Sequence, residues 1–376
     1  MTEIREITEK LKASPMFNLS LSSKELFHSN FLSWLGECNE TKALFEYVIH
    51  ELSEQQDFTL EGKKIGRENH NFDLSIESTL NDKEIVNFVI ENKVKSFPKL
   101  KQLKEYENKV KQIQKEIPCT YILLSLFTTK KDIGVWKQKS YKDLAKALSK
   151  KTDALVTHLY YKEIIKDYTA FIENLDEISR LTAIEKEESY AYPQSIIYKE
   201  LKEIRFEDFF LKAKYAQMAE IVYEELSVIF GEKNVKQDVG IKEIMNKTEK
   251  KETLYINHGF TRADGIIEIK IRAKDFVYLI QIQGDAYRRG FESYQRKMPP
   301  NKIFDEEQNW VNFQDISNEF ENIEVYPVNG EKEYNQYGDA FKYKSIKISA
   351  TKWNTTQVIA RIVEDACTCV NFVKQR

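Results

Sequence analysis

Residues 85–94 read Ile-Val-Asn-Phe-Val-Ile-Glu-Asn-Lys-Val, and this segment decides the fold class. Its β-branched and aromatic residues are typical of a strand that is largely buried in a sheet. Residues 72–77, Phe-Asp-Leu-Ser-Ile-Glu, alternate apolar and polar side chains and predict a second strand. Between the two, residues 80–83 read Leu-Asn-Asp-Lys and predict the turn of a hairpin.

Helices are expected on both sides of this hairpin. The apolar segment 121–127 predicts a third, buried strand. The order helix, strands, helix, strand, helices predicts an α/β (α+β) fold with a mixed central sheet flanked by helices. The predicted helices lie near residues 27–35, 44–52, 98–116 (opened by Pro98), 141–149 and 162–175.

The chain has 376 residues, which is enough for two domains. We place the boundary near residues 178–195 and predict domains at 1–180 and 181–376. The second is expected to be an α+β domain for recognition or assembly. Its predicted helices lie at 207–230, 288–296 and 355–373, and its predicted strands at 253–260, 265–272 and 276–283.

Two acids and one lysine are expected to converge on the hairpin. Glu91 and Lys93 lie two residues apart on one strand, so their side chains leave the same face. Asp73 lies on the preceding strand, and the turn folds it back beside Glu91. Magnesium prefers such carboxylate oxygens, and a nearby lysine can orient water and stabilise negative charge. The set predicts a metal-dependent hydrolytic centre.

The acid-x-lysine triplet is weak evidence on its own, since the chain repeats it at Glu268-Ile269-Lys270 and elsewhere. Context distinguishes Glu91-Asn92-Lys93. It ends an apolar strand and precedes a helix on which Gln102 and Tyr106, four residues apart, share a face.

The ordered set of Asp73, Glu91-Asn92-Lys93 and Gln102-x-x-x-Tyr106 resembles the PD-(D/E)XK nuclease superfamily. The Gln-x-x-x-Tyr element resembles its RecB-like branch. The pairs His28-Ser29 and Arg67-Glu68 resemble elements of a bacterial group within that superfamily. The resemblance covers residues from about 20 to 175, and Phe72 stands where many members have proline.

This resemblance implies roles for the candidate residues. Asp73 and Glu91 would bind one or two Mg²⁺ ions, with Mn²⁺ able to substitute, and the Asn92 carbonyl would add a ligand. Lys93 would position the attacking water, while Gln102 and Tyr106 would contact the backbone of DNA or steady the site. His28 is a further candidate ligand and Glu68 a further candidate acid, with packing or structural roles as the alternatives.

Basic residues near this site predict contacts with nucleic acid. Phosphate binding uses lysine and arginine side chains and weakens with salt. A solvated surface is the alternative for each of these residues. The candidates are Lys95, Lys99, Lys101 and Lys104 beside the site, and Arg288 and Arg289 in the second half.

A degenerate copy of the predicted nuclease core is one interpretation of the second half of the chain. Asp264 precedes Gln281 by nearly the spacing that separates Asp73 from Glu91. An unrelated α+β domain is the plainer interpretation. Glu268-Ile269-Lys270 is a rival site, but we expect no second strand to bring an acid to it.

Composition bounds the remaining expectations. The net charge of -3, from 57 basic and 60 acidic residues, predicts no nucleic-acid partner by itself. No segment approaches the roughly 20 apolar residues of a membrane helix, and four cysteines without framework spacing fit a reduced, cytoplasmic compartment.

The leading hypothesis is a DNA endonuclease in bacterial defence against foreign DNA, acting as a homo-oligomer or with a partner protein. An inactive nucleic-acid-binding or assembly module and a ribonuclease are the alternatives.

Overall fold

The computed structural model divides the chain into two compact units. Unit 1 comprises 1–181 and 200–209, and unit 2 comprises 182–199 and 210–376. The structure describes residues 3–20, 25–55, 58–94, 100–115, 117–127, 132–184, 190, 195–237, 244, 253–261, 264–273, 276–293, 307–320, 323–327, 333–337 and 341–375.

In the first part of the chain, through residue 181, helices flank the strands of a five-stranded sheet. Its helices are α1 (Glu3–Ala13), α2 (Pro15–Ser20), α3 (Glu25–Glu37), α4 (Lys42–Ser53), α5 (Leu100–Gln114), α6 (Tyr141–Leu155) and α7 (Leu159–Leu181). Its strands are β1 (Lys63–Arg67), β2 (Leu74–Leu80), β3 (Lys83–Lys93), β4 (Thr120–Ser125) and β5 (Trp136–Ser140).

These five strands form one mixed sheet in the order β1-β2-β3-β4-β5. Strands β1 to β3 pair antiparallel, whereas β3, β4 and β5 pair parallel. The turn between β2 and β3 places Asn81 at φ 50° and Asp82 at φ 59°. Two consecutive positive φ values match the twist of a hairpin, and Asn and Asp tolerate them. The predicted hairpin and mixed sheet flanked by helices are confirmed.

The strand at the centre of this sheet is buried along most of its length. The side chains of Val86, Val89 and Ile90 are 0% exposed. Leu103 and Val110 of α5 belong to the same apolar cluster as Val86 and Val89. Helix α5 therefore covers the sheet next to the last residues of β3, and its position beside the predicted site follows from this packing. Pro98, the predicted first residue of this helix, lies outside the described residues.

The remaining elements carry a second, seven-stranded sheet. The strands are β6 (Val235–Gln237), β7 (Leu254–Thr261), β8 (Asp264–Arg272), β9 (Val277–Gln283), β10 (Ala286–Glu292), β11 (Asn335–Tyr337) and β12 (Phe341–Lys347), in the order β11-β12-β10-β9-β8-β7-β6. The helices are α8 (Ile196–Glu203), α9 (Glu207–Phe230), α10 (Gln308–Val311), α11 (Gln314–Glu319), α12 (Ile348–Thr351) and α13 (Thr355–Gln375).

The helix predicted over residues 288–296 is wrong. Residues 286–292 form β10, which pairs antiparallel with both β9 and β12. Tyr287, Arg289 and Phe291 are 0% exposed, and they alternate with the residues of the opposite face as a strand requires. The buried Arg289 interrupted the apolar pattern and concealed this period of two. Gly284, at φ 56°, begins the tight turn from β9.

The degenerate copy of the core is also contradicted by this topology. In the first sheet, β3 leads into α5 and then pairs parallel with β4. In the second sheet, β9 leads directly into the antiparallel β10. The strand of Gln281 therefore lacks the helical crossover that defines the strand of Glu91, and the plainer α+β interpretation stands.

No helix among the described residues is long and apolar enough to cross a membrane.

Candidate active site

Glu91 and Lys93 lie side by side at the end of β3. Lys93 Nζ is 2.6 Å from Glu91 Oε1, as the same-face placement predicts. The two residues are 0% and 7% exposed. The strand therefore brings an acid and a base together where water has little access.

Asp73 immediately precedes β2 and lies across the hairpin from them. The register pairs Leu74 with Ile90, so the residue before Leu74 reaches the level of Glu91 and Asn92. Asp73 Oδ2 accepts a hydrogen bond of 2.8 Å from the backbone amide of Asn92. This bond fixes the carboxylate of Asp73 against the strand that carries Glu91.

The two carboxylates raise the cost of ionising each other. Burial, followed by the charge of Asp73, raises the pKa of Glu91 to about 7. Burial likewise raises the pKa of Asp73, although the Asn92 amide and Lys93 oppose the shift. Two neighbouring acids at hydrogen-bond range, one buried and one half-buried, favour a shared proton when no cation lies between them.

Lys93 keeps its charge in this environment. Burial opposes the charged form, but the carboxylates of Glu91, Glu25 and Asp73 together raise the pKa of Lys93. Glu25 begins α3 and also acts on Asp73. The site therefore holds one ammonium among three acids.

Helix α5 contributes two further polar groups. Gln102 Nε2 donates hydrogen bonds of 2.9 Å to both Glu91 Oε1 and the Tyr106 hydroxyl. The Tyr106 ring packs edge-on against Phe72 at 5.3 Å. Gln102 and Tyr106 thus form a chain from the core to Glu91, as their shared helical face predicts.

Helix α3 supports the site from the other face of β3. The Asn92 side chain alternates away from Glu91, and its Nδ2 donates a hydrogen bond of 2.6 Å to Ser29 Oγ. Asn92 thus connects β3 to Asp73 through its backbone amide and to α3 through its side chain.

The oxygen atoms of this site fit a divalent cation. Glu91 Oε2 is buried and has no hydrogen-bond partner in the part of the chain that the structure describes. A buried carboxylate oxygen without a donor is unfavourable unless a cation satisfies it. Among the same described residues, no group of three or more His, Cys, Asp or Glu side chains could hold a metal ion. The arrangement thus fits two carboxylates supplemented by backbone oxygen and water.

A family model described as the PD-(D/E)XK nuclease superfamily matches residues 16–257. The chain belongs to the PD-(D/E)XK nuclease superfamily. The match covers more than half of the chain and confirms the family that the motifs resembled. No curated protein and no solved structure matches the chain significantly.

Membership in the PD-(D/E)XK superfamily defines the class of chemistry. It implies nuclease activity, hence hydrolysis of a nucleic-acid substrate, and superfamily members typically use divalent metal ions. The match begins in α2 and extends to residue 257, so it includes α3, the hairpin, α5 and the start of the second sheet.

His28 and Glu68, the two further metal candidates in this superfamily member, lie in different surroundings. His28 is 1% exposed, and its Nδ1 is 2.9 Å from the Tyr168 hydroxyl. Its ring stacks on Phe171 at 5.5 Å, and burial lowers its pKa to about 3. These contacts favour the packing alternative. Glu68 is exposed, follows β1 and adopts φ 54°. The described contacts bring neither side chain to Asp73 or Glu91.

The residues predicted to contact nucleic acid lie in different surroundings. Lys101 and Lys104 are exposed on α5, although Lys104 lies 3.3 Å from Glu107. Lys95 and Lys99 lie outside the described residues. Arg288 is half-buried on β10.

Arg289 is removed from these contacts by its burial. It is 0% exposed, and its guanidinium donates to Asp365 and to Asp315 at 2.6 to 2.8 Å. An arginine held in this way stabilises the fold and has no free edge for a phosphate.

Sequence reasoning missed Glu25 and the second acid beside Lys270. Glu25 lies in the first turn of α3, where an acidic residue is common, yet its charge acts on Lys93 and Asp73. The expectation that no strand brings an acid to Glu268-Ile269-Lys270 is wrong, because Glu292 of β10 lies 2.8 Å from Lys270 Nζ. The error follows from the wrong helix over residues 288–296, which left β10 out of the sheet.

Proposed function

We propose that this chain is an Mg²⁺-dependent endonuclease that hydrolyses phosphodiester bonds of DNA. One observation carries the proposal: the half-buried carboxylate of Asp73 and the buried carboxylate of Glu91 lie together across the hairpin, with the ammonium of Lys93 at 2.6 Å from Glu91. This pattern of two acids and a lysine matches the chemistry of the superfamily.

Asp73, Glu91 and the carbonyl of Asn92 are the oxygen ligands that we assign to Mg²⁺, with Mn²⁺ able to substitute. A bound ion would supply Lewis acidity and would make water a better nucleophile at neutral pH. The hard oxygen donors suit Mg²⁺, which retains water molecules and takes only one or two carboxylates from a protein. The buried, partnerless Glu91 Oε2 supports this assignment.

We assign to Lys93 the roles of orienting the attacking water and stabilising the developing negative charge. Its pKa is raised despite burial, so the ammonium persists at neutral pH. An ammonium in a dry environment stabilises a developing oxyanion more strongly than one in water. Its contact with Glu91 holds the group beside the predicted metal ligand.

Gln102 is assigned to positioning, and Tyr106 to supporting it. The amide of Gln102 bonds to Glu91 Oε1, so the other oxygen of that carboxylate is left to face a cation. A ligand carboxylate fixed by an outer hydrogen bond binds metal more tightly than one that rotates. Both residues also lie on the helix that carries Lys101 and Lys104, which we assign to the phosphates of DNA.

The proposed cellular role rests on the resemblance of two sequence elements to a bacterial group of the superfamily. The His28-Ser29 helix and the Arg67-Glu68 pair resemble a bacterial group, and this supports cytoplasmic defence against foreign DNA as the role. The second domain, residues 181–376, is proposed to serve recognition or assembly, either in a homo-oligomer or with a partner protein. Its seven-stranded sheet is separate from the five-stranded sheet that carries the candidate site.

Cleavage assays separate this proposal from its alternatives. Supercoiled plasmid incubated with the protein should be cut in Mg²⁺ and left intact in EDTA. Lys93→Ala should lose at least about 100-fold in rate, because one group that stabilises the transition state contributes that much. Lys83→Ala is the matched control, since Lys83 is exposed at the other end of the same strand.

Each alternative has its own outcome in these assays. Equal cleavage by wild type and Lys93→Ala would contradict the proposed site. Salt-sensitive DNA binding without cleavage in any divalent ion would favour the inactive module. Cleavage of RNA, with DNA left intact in a parallel reaction, would favour the ribonuclease.

A further inference from the structure

A row of polar side chains crosses one face of the second sheet. Glu268 on β8 pairs with Gln281 on β9, and Gln281 pairs with Arg288 on β10. Gln281 Nε2 donates to Glu268 Oε1 at 2.6 Å, and Arg288 Nη1 donates to Gln281 Oε1 at 2.5 Å. Neighbours that alternate with them, such as Ile267 and Ile282, are 0% exposed on the core face. The polar row thus occupies the opposite face, which it shares with the buried Val277 and Leu279 of β9.

The polar row lines a cavity of about 280 Å³ together with aromatic residues. Tyr337, Phe341 and Tyr343 form part of its wall. The rings of Phe341 and Tyr343 stack with centroids 4.7 Å apart, and the Arg288 guanidinium lies 4.9 Å from the Tyr343 ring centroid. Tyr337 is 61% exposed. The cavity therefore combines hydrogen-bonding groups with aromatic surface, and it is large enough for one small planar molecule.

Gly290 allows the aromatic wall to approach the polar row. It lies between Arg288 and Glu292 on β10 and pairs with Tyr343 of β12. A Cβ at this position would lie 2.7 Å from Tyr343 Cβ and closer still to the carbonyl of Lys342. Only glycine permits this spacing without moving β12, so the wall that carries Tyr343 depends on it.

The charges in this cluster balance. Lys270 Nζ lies 2.8 Å from Glu292 and 3.3 Å from Glu268, and its side chain is only 9% exposed. Burial opposes the charge of Lys270, but the two glutamates together raise its pKa. With Arg288, the cluster holds two cations and two carboxylates. Because these charges cancel, the cluster offers neither the surplus positive charge that a phosphate requires nor the surplus negative charge that attracts a divalent ion, so a neutral ligand fits best.

We infer that this cavity binds a single nucleobase. A base is planar and uncharged; its face stacks on aromatic rings and its edge bonds to amide, guanidinium and carboxylate groups. Arg288 also donates to Gln283 Oε1 at 2.8 Å, so the groups at the polar edge are held in fixed positions. The choice of a nucleobase among planar ligands rests on the proposed function, because a nuclease encounters bases. The source is either a free nucleoside or an unpaired base in a strand.

Calorimetric titration of the full chain in EDTA tests this inference. The probes are adenosine, guanosine, cytidine and thymidine, with ribose 5-phosphate as the probe for a simple anion site. At least one nucleoside should bind saturably, and ribose 5-phosphate should not. Arg288→Gln and Tyr337→Ala should each weaken that binding about tenfold or more, since stacking and edge contacts each contribute on this scale. Tyr160→Ala is the matched control, because Tyr160 is 65% exposed in unit 1.

Oligonucleotides identify the source of the base. A duplex with one unpaired base is compared with the same duplex carrying an abasic site. Preference for the unpaired base assigns the cavity to bases within strands, whereas binding of nucleosides alone assigns it to free nucleosides. Binding of neither, equal binding of ribose 5-phosphate, or unchanged binding by Tyr337→Ala would overturn the inference. Because EDTA prevents cleavage, a chain that binds bases but cuts nothing would contradict the proposed function alone. One that cuts without binding bases would contradict this inference alone.

Discussion

Gln102 of α5 donates a hydrogen bond of 2.9 Å to Glu91 Oε1 of β3, and so a helix that covers the sheet also fixes a carboxylate of the candidate site. The same amide nitrogen lies 2.9 Å from the Tyr106 hydroxyl, which in turn is anchored by its ring in the core. The orientation of Glu91 therefore depends on the packing of α5.

Gln102→Ala should weaken Mg²⁺ binding about 10- to 100-fold, the range expected when an outer hydrogen bond to a metal ligand is removed. The fold should persist, since Gln102 is only half-buried. Calorimetric Mg²⁺ titration gives the affinity, and circular dichroism checks the fold. Asn108→Ala, an exposed change on the same helix, is the control. Equal Mg²⁺ affinities of Gln102→Ala and Asn108→Ala would show that Gln102 does not support metal binding.

Mg²⁺ affinity should increase with pH across neutrality. The pKa of Glu91 is raised to about 7 by burial and by Asp73, so below pH 7 the ion must displace a proton. Ionising Glu91 destabilises the metal-free protein as pH rises through 7, whereas the bound ion requires the ionised form. The apparent affinity should therefore be about tenfold higher at pH 8 than at pH 6.

The proton itself can be counted in the same titrations. At pH 6, Mg²⁺ binding should release close to one proton, seen as a dependence of the binding heat on the ionisation enthalpy of the buffer. At pH 8 this dependence should nearly vanish. Identical Mg²⁺ affinities at pH 6 and pH 8, with no proton release at pH 6, would contradict the shared-proton arrangement.

Asp73→Asn should lower the pKa of Glu91 without returning it to its ordinary value. The substitution removes the charge of Asp73, but burial, the larger cause of the shift, remains. Carbon-detected NMR of labelled glutamate side chains follows the titration directly. A pKa of Glu91 unchanged by Asp73→Asn would show that the two carboxylates do not interact.

Arg289→Met should destabilise unit 2 strongly. The substitution leaves Asp365, which is 2% exposed, without its guanidinium partner. Breaking a buried ion pair in this way costs about 3–5 kcal/mol, measured as a fall in the free energy of unfolding in urea. Arg180→Gln removes an exposed ion pair with Glu177 and should change little. Similar effects of the two substitutions would contradict the structural role of Arg289.

The hairpin and its acids were predictable because their signals are local. The alternation of residues 72–77, the apolar run before Glu91 and the polar turn at Asn81 and Asp82 lie within one short segment. Gln102 and Tyr106 followed from a single helical face. In each case, a short-range period fixed which side chains point the same way.

The remaining features depend on tertiary packing that no local period reveals. Glu25 reaches the site only because α3 packs near β3. The Lys270–Glu292 contact requires β8, β9 and β10 to pair in register, and the charge of Arg289 concealed that third strand. A buried ion pair resembles a surface patch in sequence, since its partners Asp315 and Asp365 lie far away along the chain.

The position of the metal is the most direct test of the central claim. Crystals of the full chain soaked in Mn²⁺ should show an anomalous peak between the carboxylates of Asp73 and Glu91, and crystals of Glu91→Gln should lack it. A peak in that position would support the assignment of these two residues as ligands. Manganese bound elsewhere, with Asp73 and Glu91 still bonded only to Asn92, Lys93 and Gln102, would contradict it.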